Sequence, residues 1–292
     1  SDYEKAYIPG VTNHSKKASI NVIKADKYSA DKKAHGDASL EGAQFQLYAD
    51  RACTTKATVY NASGSKITAG VYTIQNGKVT TDYLRSGVTY YLKEIKAPVG
   101  YNLSTEVIPI VADASEKTVE YTKEISDEKY GNNPILGKVA IQKYYSDGET
   151  GLLEPEANTT FQVYLKSKGS YEACTDYERA IIKTDSNGYA VTGNLYYGTY
   201  VVHQVDSGDV DAIHVDDFDV EVTENGKVYT YPLNNKLFKA YLKILKKDKQ
   251  TEKQVFKPGT AYKIYRVTDD GEELVSQSYS NGNQIKTIDT FI

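Results

Sequence analysis

The chain has 292 residues, of which 40% are apolar and 25% are charged, a composition typical of a folded globular protein long enough for more than one domain. The formal net charge is only −4, and the sequence has no basic block and no interleaving of aromatic with basic residues, so neither nucleic acid nor an anionic membrane is implied as a partner. The sequence also contains no apolar run long enough to span a bilayer, which excludes membrane insertion.

Residues 1–15 come first and carry no strand pattern, so we interpret them as a leader or linker. After them the sequence consists of short alternating runs separated by Asn-Gly and Asp-Gly turn signals, with no long segment of helical period. The chain has 27 tyrosines and 6 phenylalanines, which fits this pattern, because aromatic residues favour β-sheets and the tyrosine hydroxyl suits a sheet with one solvent-exposed face. The sequence therefore predicts an all-β protein, and stacking of exposed tyrosines on sugars stays open as a second interpretation of the same bias.

An internal repeat organises the chain. Alternating strands that contain a lysine begin at Ala18, Gly137 and Lys239, and each is followed by a second strand, at Phe45, Phe161 and Tyr262 respectively. The repeat length of about 100 to 120 residues fits one small β domain per repeat. We predict tandem immunoglobulin-like or transthyretin-like β-sandwich modules at residues 16–131 (module 1), 136–235 (module 2) and 236–292 (module 3, partial). Sequence beyond residue 292 or a neighbouring chain is expected to complete module 3.

Each repeat places a lysine on the apolar face of its first strand. By strand alternation Lys24, Lys143 and Lys246 share the face of their apolar neighbours. The same parity puts Glu94 inside module 1, together with Tyr90 and Leu92. A lone charged lysine in a core is costly, so a module that places one there repeatedly must pair it, neutralise it or consume it chemically.

Module 1 adds an acidic group on its last strand, Asp127. Inward-facing Lys24, Glu94 and Asp127 together could make an amide. Desolvation favours a neutral, nucleophilic lysine amine and a protonated carboxyl group, so Glu94 could polarise the Asp127 carbonyl and shuttle protons as water leaves.

Three stretches then resemble a known family: "LEGAQFQLY" from Leu40, "LRSGVTYYLKE" from Leu84 and "YYLKEIKAPVGY" from Tyr90. They are similar to the Cna B-type, or SpaA-like, domains of Gram-positive pilins and wall-anchored adhesins. The family's box lies on Tyr90, Leu92, Glu94, Ala97, Pro98, Gly100 and Tyr101. The resemblance implies a spontaneous isopeptide bond with Lys24 as nucleophile, Asp127 as acceptor and Glu94 as catalytic acid.

Module 2 departs from this box, because Gln204 stands where module 1 has Glu94. Two alternatives follow for Lys143 and Asn235. They bond with another acid, for which Asp206 is the nearest candidate, or they do not bond. Module 3 contributes only Lys246, whose partner would lie outside the chain.

The resulting functional prediction is the structural stalk of an extracellular, cell-wall-anchored Gram-positive adhesin or pilus-type protein, with pilus or adhesin subunits as neighbours. Two alternatives remain: an adhesin module that binds a host glycan or protein, and a sortase-polymerised pilin. The stretch "VYTYPLN" from Val228 resembles the pilin motif, but Leu233 stands where its lysine belongs.

Other chemistry has little support in the sequence. Asp217, Asp219 and Glu221 share one strand face and could bind calcium, but a solvated outer face is the favoured interpretation. The four histidines are scattered, Cys53 and Cys174 lack partners, and no hydrolase, zinc-protease or phosphate-loop motif occurs. We therefore expect no turnover enzyme, no cofactor and no metal.

Overall fold

The computed structural model describes residues 17–111, 120–125, 131–146, 152–208, 212–237, 247–255, 261–268, 271–280 and 285–287. These residues form strands, turns and loops, with one short 3₁₀ turn at Lys166–Lys168, and the prediction of an all-β fold is confirmed. Within the same ranges, no helix has the length and apolar character needed to cross a membrane.

Module 1 is built from two sheets and a small hairpin. Its strands are β1 Lys17–Ile23, β2 Gln44–Tyr48, β3 Thr58–Tyr60, β4 Lys66–Thr68, β5 Val71–Thr73, β6 Lys78–Thr80, β7 Thr89–Lys96, β8 Val107–Val111 and β9 Glu120–Ile125. One sheet has the order β6-β1-β9 and the other β5-β2-β7-β8, while β3 pairs with β4. The first and last strands, β1 and β9, run parallel and adjacent. The module therefore begins and ends side by side in one sheet.

The strand alternation in module 1 follows the sequence pattern. Ile20, Leu47 and Leu92 are fully buried in a cluster that takes side chains from both sheets. Burying this apolar surface is the main favourable term in folding, at about 25 cal/mol per Å². The same alternation leaves Lys24 and Glu94 inside the module.

Module 2 repeats this arrangement. Its strands are β10 Leu136–Ser146, β11 Leu153–Pro155, β12 Thr160–Leu165, β13 Arg179–Lys183, β14 Tyr189–Val191, β15 Leu195–Tyr196, β16 Gly198–Gln204, β17 Ala212–Ile213, β18 Phe218–Val222 and β19 Val228–Leu237. One sheet has the order β11-β10-β19-β17, with β14 and β15 also paired to β10, and the other has the order β13-β12-β16-β18. The first and last strands, β10 and β19, are again parallel neighbours, and the module has its own buried cluster.

The chain divides into two compact units after residue 238, so modules 1 and 2 belong to one unit. The second unit contains β20 Ala261–Thr268, β21 Gly271–Ser280 and β22 Ile285–Thr287 in one antiparallel sheet of that order.

Modules 1 and 2 meet at a polar joint around Asp26, a fully buried residue. One carboxylate oxygen accepts the Tyr101 hydroxyl at 2.7 Å, and the other accepts the Tyr196 hydroxyl of module 2 at 3.3 Å. Burial raises the pKa values of Tyr101 and Tyr196, so both tyrosines act as hydrogen-bond donors to the carboxylate. The His35 ring packs against Tyr177 and Tyr196, with centroids 4.4 and 5.4 Å away.

The Ala-Pro-x-Gly-Tyr end of the box shapes this joint. Gly100 has a φ of +81°, and a Cβ atom there would lie 2.5 Å from the Ala38 Cβ and 3.1 Å from the Tyr197 Cβ of module 2. Only glycine meets both the backbone conformation and the close approach. The box therefore serves the contact between modules as well as the site inside module 1.

Candidate cross-linking sites

The site of module 1 begins with Lys24, the residue directly after β1. It is 7% exposed, and its Nζ atom lies 5.2 Å from the centroid of the Phe45 ring. Its charge is balanced by Glu94 on β7, whose Oε1 atom lies 3.0 Å from Nζ. Glu94 is 2% exposed and faces Phe45 across the β2–β7 pair. The lysine and the glutamate are therefore held together from opposite sheets inside the sandwich.

The third member of the site is Asn132. The Lys24 Nζ atom donates to the Asn132 Oδ1 atom, and the Asn132 Nδ2 atom lies 3.0 and 3.1 Å from the two Glu94 oxygens. The backbone amide of Ser104 donates to Glu94 Oε2 at 2.8 Å and fixes the carboxylate from the other side. Asn132 is 1% exposed, so all three side chains meet away from water.

Asn132 reaches this position through a parallel bridge with Asp26, two residues after the lysine. Its neighbours extend the contact: the Asn132 amide donates to the Ala25 carbonyl, and the Lys27 amide donates to the Asn132 carbonyl. The chain after β9 therefore returns alongside the chain after β1.

The environment favours a reactive amine. Burial lowers the pKa of Lys24, while the charge and the hydrogen bond of Glu94 oppose that shift. An amine next to a carboxamide carbonyl and to a carboxylate that can move protons is equipped for amide exchange.

Asp127, the predicted acceptor, lies outside the described residues. Among the described residues, the carboxamide that contacts Lys24 belongs to Asn132, five positions later and one residue beyond the predicted end of module 1. The available signal was the Asn132-Asn133-Pro134 stretch, which follows the last strand of the module in sequence.

In module 2 the lysine has a different acidic partner. Lys143 is fully buried, and its Nζ atom lies 2.6 Å from Glu156 Oε2 and 2.8 Å from the Tyr144 carbonyl oxygen. Glu156 is 1% exposed, and its other oxygen accepts the Thr159 hydroxyl at 2.9 Å. Sequence reasoning missed Glu156, which directly follows the short strand β11.

Gln204 occupies the position of Glu94, as predicted, since it faces Phe161 across β12 and β16 as Glu94 faces Phe45. Its Oε1 atom accepts from the Asn235 Nδ2 atom at 3.3 Å. Lys143, Glu156, Gln204 and Asn235 are all buried in module 2.

Asp206 needs correction as the candidate acid of module 2. It is exposed, and its carboxylate accepts from the backbone amides of Thr160 and Gly208, both at 3.1 Å. Strand β16 ends at Gln204, so the parity that seemed to point Asp206 inward no longer applies two residues later.

Three other predicted features have the following positions. Lys246 lies outside the described residues. Asp217 binds the His203 Nδ1 atom at 2.7 Å, and Asp219 forms an ion pair with Lys166. In the part of the chain that the structure describes, no group of three or more His, Cys, Asp or Glu residues could hold a metal ion, and Cys53 and Cys174 are both free thiols.

Comparison with solved structures finds a similar fold over most of the chain. The Bacillus anthracis TIE protein is 20% identical with a TM-score of 0.51, and the match covers 94% of this chain and 43% of that one. This likeness concerns the fold, and this chain spans 43% of the length of that protein chain.

Two pilins also match. GBS52, the minor pilin of Streptococcus agalactiae, is 20% identical over 78% of this chain and 100% of that one, with a TM-score of 0.33. A streptococcal ancillary pilin is 19% identical over 77% of this chain and 64% of that one, with a TM-score of 0.32. No curated protein sequence matches.

A family model gives the assignment of module 1. Residues 18–128 match the SpaA prealbumin-like fold domain. The matched range includes Lys24 and Glu94 and ends four residues before Asn132. The match covers the box from Tyr90 to Tyr101 that carried the resemblance. Module 1 is therefore similar, over residues 18–128, to SpaA prealbumin-like fold domains.

Proposed function

We propose that module 1 closes an autocatalytic isopeptide bond between Lys24 and Asn132. The observation that carries this proposal is the buried trio itself, in which Glu94 contacts both the lysine amine and the asparagine amide. The stability of the fold does not by itself require this buried trio, since a buried ion pair is often no more stabilising than apolar residues of the same volume.

The reaction follows from these contacts. Glu94 takes a proton from the Lys24 ammonium, and the neutral amine attacks the Asn132 Cγ atom. The new C–N bond forms as the Cγ–Nδ2 bond breaks, and Glu94 passes protons from the lysine nitrogen to the leaving group. One ammonium and one carboxamide become one secondary amide and one ammonium ion, so atoms and charge balance. The trio acts once, which distinguishes it from a turnover enzyme.

We further propose that the chain is a stalk region of an extracellular, cell-wall-anchored adhesin or pilus-type protein. Three features support this role: tandem modules, first and last strands that lie side by side in each, and a joint that packs modules 1 and 2 together. Its neighbours would be other pilus or adhesin subunits, and a host ligand would be contacted through the parent protein.

Intact mass spectrometry of the purified chain, followed by tandem mass spectrometry of its proteolytic peptides, tests the bond. We expect a cross-linked peptide that joins Lys24 to Asn132 and lacks one ammonia, and we expect it to disappear in Glu94→Gln. A peptide that joins Lys24 to Asp127 and lacks one water would show that Asp127, and not Asn132, is the acceptor. A wild-type chain with no cross-link at Lys24 would overturn the proposal.

A further inference from the structure

Module 2 holds its lysine and asparagine in the same strand register as module 1. Asn132 pairs with Asp26, two residues after Lys24. Asn235 pairs with Tyr145, two residues after Lys143. Both pairings are parallel, and residues two apart on a strand share a face. Lys24 contacts Asn132 from this register, and Lys143 and Asn235 hold the corresponding positions of their strands.

The Asn235 side chain has a missing partner. Its Oδ1 atom is buried, and among the described residues it is the one buried side-chain polar atom without a hydrogen bond. A buried acceptor without a donor is costly and calls for an explanation. The corresponding atom in module 1, Oδ1 of Asn132, accepts from Lys24. In module 2 the corresponding oxygen has no donor, because the Lys143 amine contacts Glu156 and the Tyr144 carbonyl.

The two contacts that Glu94 makes in module 1 are divided between two residues in module 2. Gln204, in the strand position of Glu94, contacts the Asn235 amide. Glu156, from the chain between β11 and β12, contacts the Lys143 amine. Module 2 thus contains an amine, a carboxylate and an oriented carboxamide, although the strand position that supplies the acid in module 1 holds a glutamine.

Glu156 is positioned by several contacts. Its backbone amide donates to the Lys143 carbonyl at 3.1 Å, and its own carbonyl accepts the Thr184 hydroxyl at 2.7 Å. Burial lowers the pKa of Lys143, opposed by the hydrogen bond and the charge of Glu156. The carboxylate is therefore held beside an amine that the core already pushes toward its neutral form.

We propose that Lys143 and Asn235 form a second isopeptide bond, with Glu156 as its proton-transfer residue and Gln204 as the residue that orients the Asn235 carboxamide. Glu156 takes a proton from the Lys143 ammonium, and the amine attacks the Asn235 Cγ atom. The Cγ–Nδ2 bond breaks as the new C–N bond forms. Two of the three lysine protons, one of them carried by Glu156, leave with the Nδ2 group as an ammonium ion, and the third stays on the nitrogen of the new amide. The inference uses the chemistry proposed for module 1 but rests on different residues.

Peptide-level mass spectrometry of the full chain tests this second bond separately from the first. The wild-type chain should lack two ammonias and yield a peptide that joins Lys143 to Asn235. Glu156→Gln should lose that peptide and keep the Lys24–Asn132 peptide. Asp206→Asn, which changes the exposed carboxylate that the sequence suggested, is the matched control and should keep both.

The outcomes are separable. A wild-type chain cross-linked at Lys24 but not at Lys143 would overturn this inference and leave the proposed function intact, and the reverse result would overturn only the Lys24 bond. A Glu156→Gln chain that still bonds Lys143 to Asn235 would refute the role of Glu156. The wild-type peptide map decides whether the bond exists even if a variant fails to fold.

Discussion

Replacing the acceptor of module 1 should reveal how much stability a Lys24–Asn132 bond contributes. In Asn132→Ala the bond cannot form, while the Lys24–Glu94 ion pair at 3.0 Å keeps both of its members. Lys24 and Asn132 are 108 positions apart in sequence. The chain-entropy relation for a cross-link that closes a loop of this length gives about 5 kcal/mol lost from the free energy of unfolding.

That loss converts into a measurable melting temperature. Modules 1 and 2 belong to one compact unit of 238 residues, and 1 kcal/mol shifts the Tm of a domain of that size by about 2 to 4 °C. We therefore expect the Tm of Asn132→Ala to fall by about 10 to 20 °C. Thermal unfolding followed by circular dichroism is the appropriate assay, with tyrosine fluorescence as a second probe because the chain has 27 tyrosines and no tryptophan.

The matched control is Asn133→Ala, which removes an exposed side chain next to the acceptor and leaves the trio untouched. Its Tm should stay within a few degrees of the wild-type value. The reasoning fails if mass spectrometry finds the bond in the wild-type chain and yet Asn132→Ala melts at the same temperature as Asn133→Ala.

Three further changes test the joint between modules. Tyr101→Phe removes a donor from a buried carboxylate and should cost about 1 to 3 kcal/mol in urea unfolding, with no loss of the cross-link by mass. Gly100→Ala should destabilise the chain by more than Gly64→Ala, since both have φ near +80° but only Gly100 would place its Cβ against another module; equal losses would contradict the close approach. The hydrogen bond from His35 holds the pKa of Asp31 at about 2, below its ordinary 3.8. The ionised Asp31 therefore stabilises the folded chain fully above pH 3.8, and this contribution is lost as the pH falls through about 2. The Tm difference between wild type and Asp31→Asn should therefore shrink across that window, and a constant difference would refute the link.

The sequence predicted those parts of the site that lie on or next to regular strands. Alternation placed Glu94 inside, because β7 continues through it, and placed Lys24 inside although β1 ends one residue earlier. Asn132 was missed because it comes after β9, where the backbone is no longer a regular strand and its partner is set by the parallel return of the chain.

The acid of module 2 was misjudged for a related reason. Nearness in sequence favoured Asp206, but the strand ends before it and its carboxylate satisfies backbone amides at the surface. Glu156 follows β11, whose residues are all exposed, so no periodic pattern indicated that the next side chain turns inward. Only the packed structure brings it to Lys143.

The adjacent first and last strands of module 1 have a consequence for its resistance to cleavage by proteases. With Lys24 joined to Asn132, the intervening chain becomes a covalent ring through which the main chain enters and leaves at neighbouring points. A protease that cuts one peptide bond inside the ring opens it without separating the two ends. The tether would then survive a nick anywhere in the exposed loops of module 1, and only a cut outside the ring, such as in a link between modules, would release what lies beyond it.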